Sequence, residues 1–137
     1  LMNENISISL PSKPEYVSVA RLTAAVIANK MGFNIEEIED IKVAVGEACN
    51  NAVLHGKSEC SNFYIDFTID DNKFIINVND KGKGFEVEKC PKPDLLNPKE
   101  SGLGIFIIES LMDKVEVKSS PEKGTDIKMV KFLNEEI

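Results

Sequence analysis

The stretch that decides the fold is Phe63-Tyr-Ile-Asp-Phe-Thr-Ile-Asp-Asp-Asn-Lys-Phe-Ile-Ile-Asn-Val-Asn-Asp80. Phe63, Ile65, Phe67 and Ile69 alternate with Tyr64, Asp66, Thr68 and Asp70, and a period of two puts each set on its own face of a strand. Asp71 and Asn72 are turn formers. Beyond them Phe74, Ile76 and Val78 resume the alternation, so a hairpin with one apolar face is predicted. Asp80 keeps the parity of Phe74, Ile76 and Val78, which directs a carboxylate to the covered side. An acid placed there needs a partner.

Working outward, the cover comes from upstream. Ile6, Ile8 and Leu10 alternate as a short first strand ended by Pro11. Ser12 and Glu15 then form a capping-box pattern, with Pro14 in the first turn and Val17, Ala20, Ala24, Ile27 and Met31 at helical spacing up to Gly32. Asn34 and Glu37 repeat the cap before a second helix, whose stripe is Ile38, Ile41, Val45, Ala48 and Ala52 and whose stop is Gly56. Downstream, residues 85–101 carry prolines and no period, which predicts one long loop, and loops of that size are usually functional. Ile105 to Met112 is predicted as a short third helix. Val115 and Val117, then Ile127 and Met129, give two last strands around a Pro121–Gly124 turn. The sum is an α+β fold, a two-layer α/β sandwich with a mostly antiparallel sheet of about five strands and three helices on one face.

Length and composition agree. The 137 residues fit a single domain spanning 1–137, and 42% hydrophobic with 28% charged residues is an ordinary globular balance. Sixteen basic against 23 acidic side chains leave a net charge of −7, which repels phosphate backbones, so no direct nucleic-acid partner is expected. No apolar run approaches the roughly 18 residues of a membrane span. Leu1 ahead of Met2 reads as a cloning remnant, and no secretion signal is seen, so a cytoplasmic protein is expected. Cys49, Cys60 and Cys90 are odd in number and lack metal-site spacing, so small buried thiols are expected.

Polar residues on otherwise apolar faces mark the candidate site. Glu47, Asn51 and His55 share one stripe of the second helix, a pattern that a solvated face also explains when taken alone. Gly82 and Gly84 follow Asp80 and allow close backbone approach, although an Asp-initiated turn has the same composition. Thr125, directly after Gly124, has the inward parity of Ile127 and Met129. Gly102-Leu103-Gly104 is predicted to open the third helix with backbone N–H groups free for an anion. Two look-alikes fail. Gly56-Lys57-Ser58 leaves a helix rather than entering one, unlike a P-loop, and the Gly82 and Gly102 pairs lack dinucleotide-fold spacing. With His55 as the sole histidine, a histidine-rich metal site is not available.

Glu47-x-x-x-Asn51, Asp80-x-Gly82-x-Gly84, Gly102-x-Gly104 and Gly124-Thr125 together resemble the GHKL (Bergerat-fold) ATP-binding family shared by gyrase, MutL and histidine kinases. Pro11-Ser-Lys-Pro-Glu-Tyr-Val17, Glu37-Ile-Glu-Asp40, Glu47-Ala-Cys-Asn-Asn-Ala-Val53 and Glu109-Ser-Leu-Met-Asp113 are similar to anti-sigma-factor serine-protein kinases of the RsbW type, over nearly the whole chain. The resemblance implies ATP or ADP and Mg²⁺ as cofactors. It makes Glu47 the base that takes the proton of a serine hydroxyl, and Asn51 the oxygen ligand of Mg²⁺. Asp80 accepts from the adenine amino group, supported by Thr125 through its hydroxyl or a water, while Gly82 and Gly84 make room for the base. Residues 85–101 become an ATP lid, and Ser101, Gly102, Leu103 and Gly104 lie along the phosphates.

The implied function is that of an anti-sigma factor: it sequesters a sigma factor and phosphorylates a STAS-type anti-anti-sigma protein on serine. Helix one carries Val19, Leu22 and Val26 besides its core stripe, which fits either cover by another chain or a helix buried on several sides within the fold, and the resemblance favours a homodimer that binds a sigma factor or its serine-bearing antagonist. Arg21 stands on the margin as a partner contact. Two alternatives remain at this point, a stand-alone ATPase or histidine-kinase-like domain, and a sigma-binding module without catalysis. Gly46 and Glu100 depart from the family's more usual serine and basic residue.

Overall fold

The computed structural model describes residues 3–55, 61–80, 98–120 and 124–133, with the backbone alone for 55 and 98–102. Strand β1 (Glu4–Pro11) is followed by a 3-10 turn (Pro14–Tyr16) and helices α1 (Val17–Met31) and α2 (Ile35–His55). The hairpin of β2 (Asn62–Asp70) and β3 (Lys73–Asn79) comes next, then α3 (Pro98–Leu111), β4 (Lys114–Ser120) and β5 (Gly124–Phe132). Five strands form one sheet in the order β1-β2-β3-β5-β4, every neighbouring pair antiparallel.

The hairpin folds as its alternation predicts. Phe63, Ile65, Phe67, Phe74, Ile76 and Val78 are buried, and Asp71 takes the left-handed turn conformation at φ 58° that Asp tolerates better than a branched residue. Ile127 and Met129 extend the apolar face across β5, in register with Val78 and Ile76. The three helices cover this one face. Ala20, Ala24 and Ala28 of α1 and Ala44 and Ala48 of α2 are all buried, and side chains this small let the two helices approach closely. Each fully buried Phe or Ile contributes about 1.5–3 kcal/mol by the surface it removes from water.

Local chemistry sets one helix start and fails to set another. Asn34 and Glu37 form the expected reciprocal box, Glu37 N–H donating to Asn34 Oδ1 at 2.7 Å and Asn34 N–H to Glu37 Oε1 at 2.9 Å. The box predicted at Ser12 and Glu15 does not form. Pro14 holds Lys13 in an extended conformation (φ −132°, ψ 142°), no side chain caps the turn, and α1 begins only at Val17. Ser12 is instead buried, its N–H donating to the Ser61 carbonyl at 3.0 Å. Gly32 ends α1 at φ 106° as anticipated.

The third helix also departs from expectation, since it starts at Pro98 rather than Ile105 and absorbs residues 98–101 of the predicted loop. Pro suits the first helical position because its missing N–H would be unpaired there in any case. Gly102 and Gly104 therefore lie inside α3 and not at its opening. The remainder of that loop falls outside the described residues. At its other end, α3 is tied to β5: Lys131 Nζ donates to the Leu111 carbonyl and Phe132 N–H donates to Asp113 Oδ2, both at 2.7 Å.

Candidate functional site

Helix α2 brings Glu47 and Asn51 one turn apart, both half-buried beside the buried stripe of Val45, Ala48 and Cys49. Glu47 points at α3. A Cβ built on Gly104 would sit 3.2 Å from Glu47 Oε1, so the glycine lets a carboxylate rest against a helix backbone. That contact gives Gly104 a tertiary reason to be glycine, in place of the helix-opening role expected of it. Its neighbour Leu103 is exposed, and Ser101 and Gly102 are placed by backbone only. Gly82 and Gly84 lie outside the described residues, as does the side chain of His55.

Asp80 follows β3 directly and is 4% exposed, as its parity predicts. Thr125 N–H donates to Asp80 Oδ1 at 2.7 Å, and Asp80 N–H donates to the Thr125 carbonyl at 3.1 Å. A carboxylate can accept further hydrogen bonds beyond this one, so a donor-bearing ligand can be read here. Within the protein, Thr125 is tied to Asp80 through its backbone N–H. Thr125 Oγ1 lies instead 3.1 Å from Ser119 Oγ, across the β4–β5 pair where the two residues are directly opposite. On the other face of the sheet, Asn77 and Asn79 both donate to Asp126 Oδ1, at 2.7 and 3.0 Å, and hold β3 to β5 where Asp80 emerges. Ser119 is the residue the sequence reading missed. Counting back across the final turn from Thr125 would have reached it.

Two further features flank the site. Arg21 is exposed and its stem lies over Gly46, where an added Cβ would come within 2.9 Å of Arg21 Cδ. Val19, Leu22 and Val26 on the same helix are exposed, Leu22 at 59% and Val26 at 60%, so they are not buried within the domain. Cys49 is buried, and burial pushes its thiol up to about 12, which leaves no nucleophilic thiolate at neutral pH. Cys60 and Cys90 lie outside the described residues. Among the described residues no group of three or more His, Cys, Asp or Glu side chains is arranged to hold a metal, and no helix is long and apolar enough to cross a membrane.

The histidine kinase-like ATPase domain family matches residues 10–131. The serine-protein kinase RsbW of Oceanobacillus iheyensis is 41% identical, covering 96% of this chain and 88% of its own length. That of Halalkalibacterium halodurans is 40% identical over 95% of this chain and 84% of its own, and that of Bacillus subtilis 36% identical over 96% and 87%. Among solved structures, the RsbU and RsbW domains of a Mycobacterium tuberculosis protein superpose with a TM-score of 0.71 at 18% identity, covering 97% of this chain and 33% of that longer one. At that identity the superposition speaks for the α+β fold.

Proposed function

The chain belongs to the histidine kinase-like ATPase family, as an ATP-binding protein-serine kinase, and from that premise we propose that it is an anti-sigma factor. It sequesters a sigma factor and uses Mg²⁺-ATP to phosphorylate a serine of a STAS-type anti-anti-sigma protein, in a stress-response circuit of the cytoplasm.

One observation carries the catalytic half of this proposal: the Glu47 carboxylate rests against Gly104 of α3. A helix-borne carboxylate lying between two elements is suited to accept the proton of an attacking serine hydroxyl, the base role that accompanies phosphoryl transfer. Asp80, held by the Thr125 N–H, is the acceptor for the adenine amino group, and residues 101–104 run along the phosphates. Gly82 and Gly84 are assigned to the space around the base and residues 85–101 to the lid on sequence grounds.

Mg²⁺ fits the donor set. The cation prefers oxygen, keeps several waters and takes only one or two protein ligands beside substrate phosphates, a demand that one carboxamide oxygen can meet. The Asn51 side-chain oxygen, one turn beyond Glu47, is the assigned ligand. Bound there, the metal supplies charge neutralisation to the triphosphate. The chain's own residues orient the nucleotide and receive the serine proton.

Support for a homodimer and for partner docking comes from α1, where Val19, Leu22 and Val26 expose an apolar arc with Arg21 at its edge. Nucleotide binding is tested by thermal shift. At ligand concentrations of about 100 Kd the folded state gains about 2.7 kcal/mol, which for a chain this size raises Tm by about 10 °C. Mg²⁺-ATP should produce that rise and Mg²⁺-GTP should not, since guanine presents a carbonyl where Asp80 needs a donor. Superimposable melting curves with and without millimolar Mg²⁺-ATP would refute it.

A further inference from the structure

We infer that Ser119 is a positioning residue of the nucleotide site: its hydroxyl orients that of Thr125 and thereby adds to the preference for adenine over guanine nucleotides that Asp80 establishes. This rests on the assignment of Asp80 to the base, and it adds a residue that no part of that assignment uses.

Thr125 joins the two groups, its hydroxyl meeting Ser119 and its main-chain N–H anchoring Asp80. Ser119 Oγ and Thr125 Oγ1 are 3.1 Å apart on directly opposed strand positions, and Thr125 N–H holds Asp80 Oδ1 at 2.7 Å. A pair of hydroxyls has two proton arrangements, because each is both donor and acceptor. With Ser119 as donor, the Thr125 proton is available to a ligand. With Thr125 as donor, its proton is spent on Ser119 and only lone pairs face the ligand.

The nucleobase decides which arrangement is productive. A carboxylate accepts and does not donate, so the base edge set against Asp80 must present its amino group. On adenine the amino group is next to N1, an acceptor, and the neighbouring hydroxyl must therefore donate. Guanine presents the reverse, a carbonyl next to an N1–H donor. Ser119 donating to Thr125 thus matches adenine, and the inverted arrangement accommodates the N1–H of guanine. Remove the Ser119 hydroxyl and Thr125 is free to rotate between the two.

Ser119 is exposed, so its loss leaves no buried orphan and the domain is expected to fold. The test compares ATP and GTP affinities, measured calorimetrically with Mg²⁺, for the intact chain and for Ser119→Ala, Ser119→Thr and Asp80→Asn. Ser119→Ala should weaken ATP by about three- to tenfold, the worth of one neutral hydrogen bond, while GTP is unchanged or tighter. Ser119→Thr, which keeps a hydroxyl, should restore the ATP-to-GTP ratio. A Ser119→Ala variant with an unchanged ratio, or one that loses ATP and GTP equally, overturns the inference while a loss of ATP affinity in Asp80→Asn leaves the adenine assignment standing. Unchanged ATP affinity in Asp80→Asn overturns both.

Discussion

Replacing Gly104 by Ala should make the protein more stable and a poorer kinase. Gly104 lies within α3, where Ala is better than Gly by about 1 kcal/mol because the glycine backbone loses more freedom on folding. For a chain of this size that gain raises Tm by about 3 °C. The added Cβ would stand 3.2 Å from Glu47 Oε1, tighter than ordinary contact, so the carboxylate must give way by a few tenths of an ångström. It can, because it is the far end of a flexible side chain. A misplacement of about 1 Å at a reacting group costs on the order of 100-fold in rate, so this smaller shift should lower kcat by about 3- to 10-fold. Nucleotide affinity should change little, since the Gly104 N–H lies within α3 and the substitution leaves Asp80 and Asn51 in place. Melting curves and single-turnover phosphotransfer on the same preparation are sufficient. Raised Tm with unchanged transfer would refute the link between the Glu47–Gly104 contact and catalysis, and a lowered Tm would refute the helix argument.

Glu47→Ala should retain ATP affinity while serine phosphorylation falls by about 10²- to 10⁴-fold, whereas Asn51→Ala should lose the Mg²⁺-dependent part of nucleotide binding; calorimetry beside a transfer assay separates the two steps. Gly46→Ala should lift the Arg21 stem, whose Cδ lies 2.9 Å from the new Cβ, and weaken partner binding with nucleotide affinity intact, so unchanged partner affinity by calorimetry would remove Arg21 from the interface. Cys49 should resist alkylation in the native state, as peptide mass mapping after maleimide treatment would show. Its thiol keeps the proton up to about pH 12 in the fold but loses it near 9.0 when unfolded, so from this residue stability is constant below pH 9 and declines by roughly 1 kcal/mol per unit above it. Equilibrium unfolding of the intact chain and of Cys49→Ala across pH 8–10.5 checks the sign.

What was legible in the sequence was mostly what short-range chemistry dictates. The hairpin could be read because alternation fixes parity, and the same parity carried Asp80 to the covered side at 4% exposure. Asn34 and Glu37 could be read because the box closes within three residues. Ser12 and Glu15 spell a similar pattern, yet Pro14 holds the preceding residue extended and Ser12 is drawn into the interior, which composition alone does not report. The start of α3 was misplaced because glycines read as loop, while in the fold Gly104 answers to Glu47 from another helix. Ser119 was missed for a related reason: its partner is fixed by strand register, a property of two segments together. Gly82, Gly84 and most of the proposed lid remain assigned by sequence.

The central claim is transfer of the ATP γ-phosphate to a partner serine with Glu47 as base. Incubating the chain and a STAS-type partner with Mg²⁺ and γ-labelled ATP, then testing the product in acid, addresses it directly. The account predicts one acid-stable phosphoserine per partner, formed by the intact chain and slowed at least about 100-fold by Glu47→Ala. Label released only as free phosphate, label held in an acid-labile phosphohistidine, or equal transfer by Glu47→Ala would contradict it.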